Sequence, residues 1–473
     1  MHIKKFLTIA LSMLTAAVAV RHAGTPIPLD SCRSMALRNN KTMQIAQERI
    51  KAAEYQKKQA FAAYLPGIDF AGGYMYNQKE ISLLSGDQML PTKTFNPATG
   101  TYDFNLLTGP DGRPVQVNGQ YVPTQVALIP KEAMTFDIHN LFAGAVTLTQ
   151  PIYMGGKIRA LNKMAEMGQE IASLMHDNAA REVVYSVDAT YWQVVSLGEK
   201  KKLAVSYIEL LDTLHSNVEA MIRQGIATNS DLLNVEVKLN EANIDLTKVD
   251  NGLALSRMAL AQEFTLPDEV SDHKSFGAMQ PAAYTMQDVY NNRSDIKSLE
   301  LAVKVYEQKQ YEARSSMLPT VALVGTYGFS NPNIFNGFDK KFNGMFSVGA
   351  MVKIPLWHWG GNYYKYKAAR SESIVKSLEL EEAKEKIELQ VSQASYKTAE
   401  AAKTLRTTES NLSKADENLR QAQLGYKEGV MTLDNVMAAQ TAWLKANSEN
   451  IDAEIDVQLC NVYLSKVTGT LKY

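Results

Sequence analysis

The chain states its long-range plan twice. Arg223-Gln224-Gly225, followed by Thr228 and Asp231, returns 204 positions later as Lys427-Glu428-Gly429, followed by Thr432 and Asn435. Ala62-Ala63-Tyr64-Leu65-Pro66 is matched by Ser315-Ser316-Met317-Leu318-Pro319. Gln150-Pro151-Ile152-Tyr153-Met154-Gly155-Gly156 is matched by Ile354-Pro355-Leu356-Trp357-His358-Trp359-Gly360-Gly361. An internal repeat of this length constrains the fold more than any composition does, because each half must form the same supersecondary unit. The halves, 20–270 and 271–473, each read as helix, two strands, long helix, turn, return helix. Pro66 and Pro151 are 85 residues apart but Pro319 and Pro355 only 36, so the first half carries an insertion of about 49 residues. That insertion, 77–133, holds Asn-Pro-Ala-Thr-Gly and Gly-Pro-Asp-Gly-Arg-Pro, which is turn chemistry.

The strands are expected at about 67–76, 140–153, 319–329 and 344–356, and they alternate. Ile68, Phe70, Gly72, Tyr74 and Tyr76 share one face, with Asp69, Ala71, Gly73 and Met75 on the other. Phe346, Val348, Ala350, Val352 and Ile354 likewise oppose Ser347, Gly349, Met351 and Lys353. Period-two patterning suits a half-buried soluble sheet and a membrane barrel alike. Each segment has roughly the nine to eleven residues a tilted strand needs to cross a bilayer. Tyr74, Tyr76, Tyr327 and Phe329 gather at one end, and Tyr153, Trp357 and Trp359 at the other, as interface aromatics do; aromatics are also simply good strand formers. Four strands cannot close in lipid, since two open edges would leave backbone groups unpaired in hydrocarbon. The barrel reading therefore requires an oligomer.

Long helices are expected at 157–223 and 362–427, because neither stretch contains proline. At 1.5 Å per residue each would run for roughly 100 Å. Return helices at 229–264 and 433–467 would reach about half as far. Polar on much of their surface and Ala-rich elsewhere, they suit a projecting coiled-coil structure. At the N-terminus Lys4 and Lys5 precede an apolar run from Phe6 to Val20, closed by Ala17-Val18-Ala19. That is the form of a secretory signal peptide over 1–19, too short for a membrane span.

Lys and Arg number 49 against 50 Asp and Glu, giving a net charge of -1. No basic excess or RNA-binding signature points to nucleic acid. Two cysteines, Cys32 and Cys460, exclude a cysteine-rich metal or disulfide scaffold, and an exported compartment would permit a single bridge between them. The seven histidines show no metal-ligand spacing. No phosphate loop, GxGxxG or GxSxG occurs, so no metal, cofactor or enzymatic activity is expected.

Over essentially the whole mature chain the sequence resembles the TolC-like outer-membrane efflux factors. The resemblance rests on Pro28-Leu29-Asp30-Ser31 with Ala36-Leu37-Arg38-Asn39-Asn40, the two Leu-Pro entries to strands, the Pro-x(3-4)-Gly-Gly exits and the two Gly-x-x-Thr turns. Gly469 closes the second half, where the first has Thr265, and Met431 stands where the family often has a basic residue. The resemblance implies a mainly α fold with membrane β: a homotrimer whose four strands per subunit form a 12-stranded outer-membrane barrel, continuous with a periplasmic α-helical barrel. It also implies a passive duct for small molecules, working with a periplasmic adaptor and an inner-membrane pump. The insertion would then lie outside the cell. Gly225, Ile226, Ala227, Thr228, Gly429, Val430, Met431 and Thr432 become the expected adaptor-docking tips, though they also fit ordinary hairpin turns. Asp434 beside Asn435 is the expected acidic aperture, or equally a first-turn residue favoured by the macrodipole. Asp231 and Tyr426 are expected to hydrogen-bond as a latch. A polypeptide secretion duct of the same architecture, and a soluble periplasmic coiled-coil protein, are the alternatives.

Overall fold

The computed structural model describes residues 27–263, 284–335 and 339–472. The leader expected at 1–19 and Thr265 lie outside the described residues. The chain divides into two compact units, one of helices and one (Ala60–Ile158 and Arg314–Tyr363) holding the strands.

The helices are α1 (Leu29–Asn39), α2 (Lys41–Ala62), α3 (Lys157–Arg223), α4 (Asn229–Glu263), α5 (Met286–Asn292), α6 (Ser294–Ser315), α7 (Gly361–Lys427) and α8 (Leu433–Val467). Both α3 and α7 have 67 residues, and both α4 and α8 have 35. α7 starts 204 positions after α3 and α8 starts 204 positions after α4, so the repeat holds residue for residue along these helices. Gly168 and Gly198 sit inside α3 without interrupting it. At about 1 kcal/mol each relative to alanine, they are outweighed by the surrounding apolar contacts. Ile387, Val391, Ala394, Thr398 and Ala401 of α7 are buried at spacings of four and three, which is the seam of a coiled coil. α5 starts from a capping box, with Asp288 N donating to Thr285 Oγ1 at 3.2 Å and Thr285 N donating to Asp288 Oδ2 at 3.1 Å.

Four apolar clusters hold this unit, the smallest of them around Tyr207, Leu211 and Ala242. One joins Ala36 of α1 to Val187 and Tyr191 of α3 and Leu260 of α4. A second joins Val289 and Ile296 to Val391 and Leu464. A third, around Val218, Val235, Leu419 and Val436, gathers the ends of α3 and α7 with the starts of α4 and α8. Cys32 is buried and Cys460 half-buried; both are free thiols, each pushed up to about 11 by burial.

In the second unit, β1 (Gly67–Tyr76), β10 (Asn140–Met154), β11 (Thr320–Asn331) and β12 (Asn343–Lys353) form one antiparallel sheet in that order. The register sorts the side chains sharply. Phe70, Val146, Tyr327 and Phe346 stand in one row, and Ile68, Leu148, Gly325 and Val348 in the next on the same face. Asp69, Thr147, Thr326 and Ser347 form a row on the opposite face. On the apolar face Gly72, Gly144, Phe329 and Gly344 are aligned, and a Cβ on Gly144 would meet the Phe329 ring at 2.7 Å. The glycines thus make room for rings lying across the sheet.

β10 shifts register between Pro151 and Tyr153, where proline cannot donate to the ladder. The fourth strand was expected to reach 356 but ends at Lys353, just before Pro355, for the same reason. The two glycine-pair exits also align differently from the sequence pairing. Trp359 and Gly360 have φ of 49° and 77°, matching Gly155 at 62° and Gly156 at 84° at the same offset of 204. Glycine is required at Gly155, where a Cβ would lie 2.8 Å from the Ser315 carbonyl oxygen.

The insertion is more ordered than its turn chemistry suggests. Between β1 and β10 the chain forms four two-stranded ladders: β2 (Ile81–Ser82) with β9 (Thr135–Phe136), β3 (Gln88–Pro91) with β8 (Val126–Ile129), β4 (Lys93–Asn96) with β5 (Thr101–Phe104), and β6 (Gln116–Val117) with β7 (Gln120–Tyr121). Short alternating stretches between the glycines and prolines pair with one another. The result is a β-arm grown from the β1–β10 hairpin.

Candidate functional site

The turn residues cluster because the helices end for local reasons. α3 stops at Arg223 and Gly225 takes φ of 79°; Ile226 N then donates to the Met221 carbonyl at 2.9 Å. α7 stops at Lys427 and Gly429 takes φ of 74°, with Val430 N donating to the Gly425 carbonyl at 2.8 Å. Both are glycine-capped helix ends in which the next residue ordinarily packs its apolar side chain back on the helix. Here Ile226 is 68% exposed and Val430 79% exposed. Two apolar side chains are therefore held out by hydrogen-bonded turns. Met431 is different: it folds over Gly425, where a Cβ would lie 2.8 Å from its Cγ.

The turns differ in charge. Asp231 Oδ2 accepts from Thr228 N and Thr228 Oγ1, both at 2.8 Å, while Asp231 N donates back to Thr228 Oγ1 at 3.3 Å. The hydrogen bonds from the Thr228 backbone and hydroxyl hold this carboxyl below its usual range. The second turn has only Asn435 N donating to Thr432 Oγ1 at 3.4 Å, and its equivalent residue is neutral. Asp434 and Asn435 are both exposed. Tyr426 is half-buried in the cluster around Val436. Burial, and then the charge of Asp231, push its hydroxyl up. The expected Asp231–Tyr426 hydrogen bond is absent among the described residues: the carboxylate caps its own helix, and the two groups are coupled only through charge.

Sequence reasoning missed two residues beside these turns. Gln440 is 1% exposed, and its Oε1 has no hydrogen-bond partner among the described residues. It borders a groove of about 790 Å³ also lined by Leu214, Met221, Arg420, Tyr426 and Val436. Its signal was readable, since Leu433, Val436, Gln440 and Trp443 recur at spacings of three and four. Trp443 Nε1 donates to Asp416 Oδ1 at 2.6 Å, joining α8 to α7.

The interface aromatics fall at two ends of the sheet. Tyr74 packs on Phe142 at 4.8 Å, and Tyr327 and Phe329 are 6.2 Å apart, with Tyr76 at the last pair of the β1–β10 ladder. Tyr153 lies near the other end of β10, and Trp357 and Trp359, 5.9 Å apart, follow β12. One group of possible metal ligands, Glu80, Asp137 and His139, meets at the base of the arm. Lys340 Nζ already sits 2.7 Å from Asp137 Oδ2, and His139 Nδ1 lies 2.6 Å from Oδ1, so the carboxylate is neutralised by the chain itself. No helix among the described residues is long and apolar enough to cross a membrane.

The profile of the family described as "Outer membrane efflux protein" matches residues 131–263 and 285–470. The chain belongs to that family. It is 21% identical over 343 residues to the outer membrane protein TolC of Vibrio cholerae, covering 70% of this chain and 77% of that one. It is 19% identical over 364 residues to TolC of Escherichia coli, covering 70% of each. Among solved structures, CusC matches with a TM-score of 0.74 at 14% identity, covering 94% of this chain and 92% of that one. The open-state MtrE outer membrane channel of Neisseria gonorrhoeae matches with a TM-score of 0.72 at 15% identity, covering 93% of this chain and 88% of that one. At such identities the structural likeness shows the fold: long helices and a four-stranded membrane sheet. As a member of this family the protein resides in the outer membrane, with a large periplasmic portion. The sorted sheet is its membrane element.

Proposed function

We propose that three copies of the chain form a passive exit duct of a tripartite efflux system. Small molecules would arrive from an inner-membrane pump through a periplasmic adaptor. The observation that carries this reading is the four-stranded sheet, with an apolar face, a polar face and both β1 and β12 at open edges. In hydrocarbon each unpaired edge group costs several kcal/mol, so the sheet needs neighbours to close it. Three copies exceed the roughly eight strands at which membrane barrels begin. The row of Asp69, Thr147, Thr326 and Ser347 would then face water in the lumen.

The adaptor would dock at Gly225 to Thr228 and Gly429 to Thr432. Exposed Ile226 and Val430 supply apolar anchors, and the nearby groove is lined in part by Gln440, whose buried Oε1 has no hydrogen-bond partner among the described residues. Such a groove suits a partner carrying an apolar helix tip and one hydrogen-bond donor. Three copies of Asp434 at the aperture would favour cations and repel one another. Asp231, near Tyr426, would steady the closed turn through the cap it forms.

Native mass spectrometry of the detergent-extracted protein, followed by single-channel recording, tests the duct. A trimer whose cation preference falls in Asp434→Asn supports it. A stable monomer, or a trimer with no conductance after the turns are loosened by Asp231→Ala, overturns it.

A further inference from the structure

The β4–β5 ladder of the arm is amphipathic, and nothing among the described residues of one copy covers its apolar side. Side chains alternate along a strand, so the ladders place Met89 with Leu128, Pro91 with Val126, and Phe95 with Tyr102 on one side. Lys93 and Phe104 complete that side, with the Lys93 ammonium 4.3 Å from the ring centre. Met89, Val126, Leu128, Phe95, Tyr102 and Phe104 are each between 47% and 70% exposed. On the other side Thr94 hydrogen-bonds Asn105 at 2.8 Å, and Asn96 and Thr101 hydrogen-bond Asp103 at 2.8 and 3.2 Å. On the β4–β5 ladder this side is thus polar and satisfied by itself, whereas on the β3–β8 ladder it carries Leu90, Ala127 and Ile129, with Leu90 49% exposed. Three aromatic rings and three aliphatic side chains are left facing out from a two-stranded ribbon.

A ribbon of two strands is marginal in water, and contiguous exposed apolar area of this kind marks a contact surface. We infer that the surface is covered by the arms of the two other copies, whose apolar sides meet on a common three-fold axis to cap the mouth of the duct. This rests on the trimeric reading above. Three observations select this occupant. The arm grows from β1, which is an edge strand and must lie beside the next copy. Its base is fixed: Asn77 N and Nδ2 donate to the His139 and Ile138 carbonyls at 2.9 and 2.8 Å, and Lys340 of the β11–β12 loop pairs with Asp137. The arm also carries four cations (Lys79, Lys93, Arg113, Lys131) against six carboxylates (Glu80, Asp87, Asp103, Asp111, Glu132, Asp137). A net charge of that sign is not drawn to an anionic lipid surface. Ribbons that carry their aromatic rings on one side cover those rings by turning that side inward, which three-fold symmetry allows for all three at once.

The test uses the full chain in outer membranes, with Cys32→Ser and Cys460→Ser to remove the native thiols. Phe95→Cys and Thr94→Cys are neighbours on opposite sides of the arm. After treatment with a short bis-maleimide, Phe95→Cys is expected to run as a linked dimer for up to about two thirds of the chains, since one of three thiols is left over. Thr94→Cys is expected to stay monomeric in the denaturing gel. A membrane-impermeant maleimide should label Thr94→Cys at least about tenfold faster than Phe95→Cys. Linking through Thr94→Cys alone overturns the inference, as does failure of both variants to link. Shielding of Phe95→Cys without linking overturns it too, because something other than another arm then covers the surface. Native mass spectrometry separates the two levels: an intact trimer with unlinked arms sinks the cap alone, whereas no trimer sinks the duct as well.

Discussion

Arg33→Ala should loosen the first helix of the fold in a way that acid repairs. Arg33 Nε and Nη2 lie 2.7 and 2.6 Å from the two carboxylate oxygens of Asp188, whose side chain is fully buried. The pair joins residues 155 positions apart and so ties α1 to α3. An exposed pair would contribute at most about 1 kcal/mol. Removing one member of a buried pair instead leaves an uncompensated charge and costs about 3–5 kcal/mol. The two partners respond unequally: Asp188 keeps Arg33 firmly protonated, while burial outweighs the guanidinium and raises the Asp188 carboxyl above its ordinary range. A carboxyl raised in the folded state contributes most below its unfolded pKa, and that contribution is lost as pH rises through the folded value. Without Arg33 the folded value rises further, so the defect should be smaller at pH 5 than at pH 8. Hydrogen exchange over residues 29–39, corrected for intrinsic rates, reads this directly. A cost of about 3 kcal/mol corresponds to protection lower by about two orders of magnitude at pH 8. Arg33→Ala with Asp188→Asn should recover most of it. Equal loss at both pH values, or no loss at pH 8, would refute the argument that a buried charge is at stake.

Gly429→Val should cost roughly 1–2 kcal/mol in exchange protection at the α7 end through its positive φ alone, because open space surrounds the site; Gly429→Asn should cost less. Asp231→Ala should remove about 1 kcal/mol of cap from the α4 start. Because the folded carboxyl is lowered, that cap is fully present above the ordinary Asp range and lost as pH falls through the lowered value, so wild type and variant should converge in acid. Gly144→Val should expel the Phe329 ring and reduce the yield of assembled trimer in outer membranes, with Phe329→Ala restoring it.

Most of the architecture was legible because it rests on short-range rules. The absence of proline over 157–223 and the glycines at 225 and 429 define α3, α7 and their turns without any tertiary information. Period-two patterning identified the four strands, since a sheet with two unlike faces must alternate. The parts that escaped depend on contacts distant in sequence. Asp188 lies in a run with Val183, Val184, Val187 and Tyr191, where a buried carboxylate is visible as an anomaly, but nothing local points to Arg33. Asp231 has the spacing of a helix cap to Thr228, and that local bond wins over the longer one expected with Tyr426. In the arm, glycine and proline signals concealed the ladders, because each paired stretch is only two to four residues long.

The repeat itself separates what must be conserved between the halves from what is free to differ. Along the long and return helices the two halves agree in length to the residue, because a mismatch would move every seam contact out of phase. Where packing does not decide, they diverge: Asp231 faces a neutral Asn435 as its counterpart, Trp359 replaces Gly155, and the arm exists in one half alone. On the trimeric reading the helical end is a ring of six hairpins of two alternating kinds. One kind has a charged cap and outward Ile226; the other has a neutral cap and outward Val430 beside a folded Met431. A partner docking there meets two chemically distinct turns, so exchanging the two turn sequences should weaken adaptor binding even though each hairpin keeps its fold. Unchanged affinity after that exchange would mean that the adaptor recognises the shape of the hairpins and not their side chains.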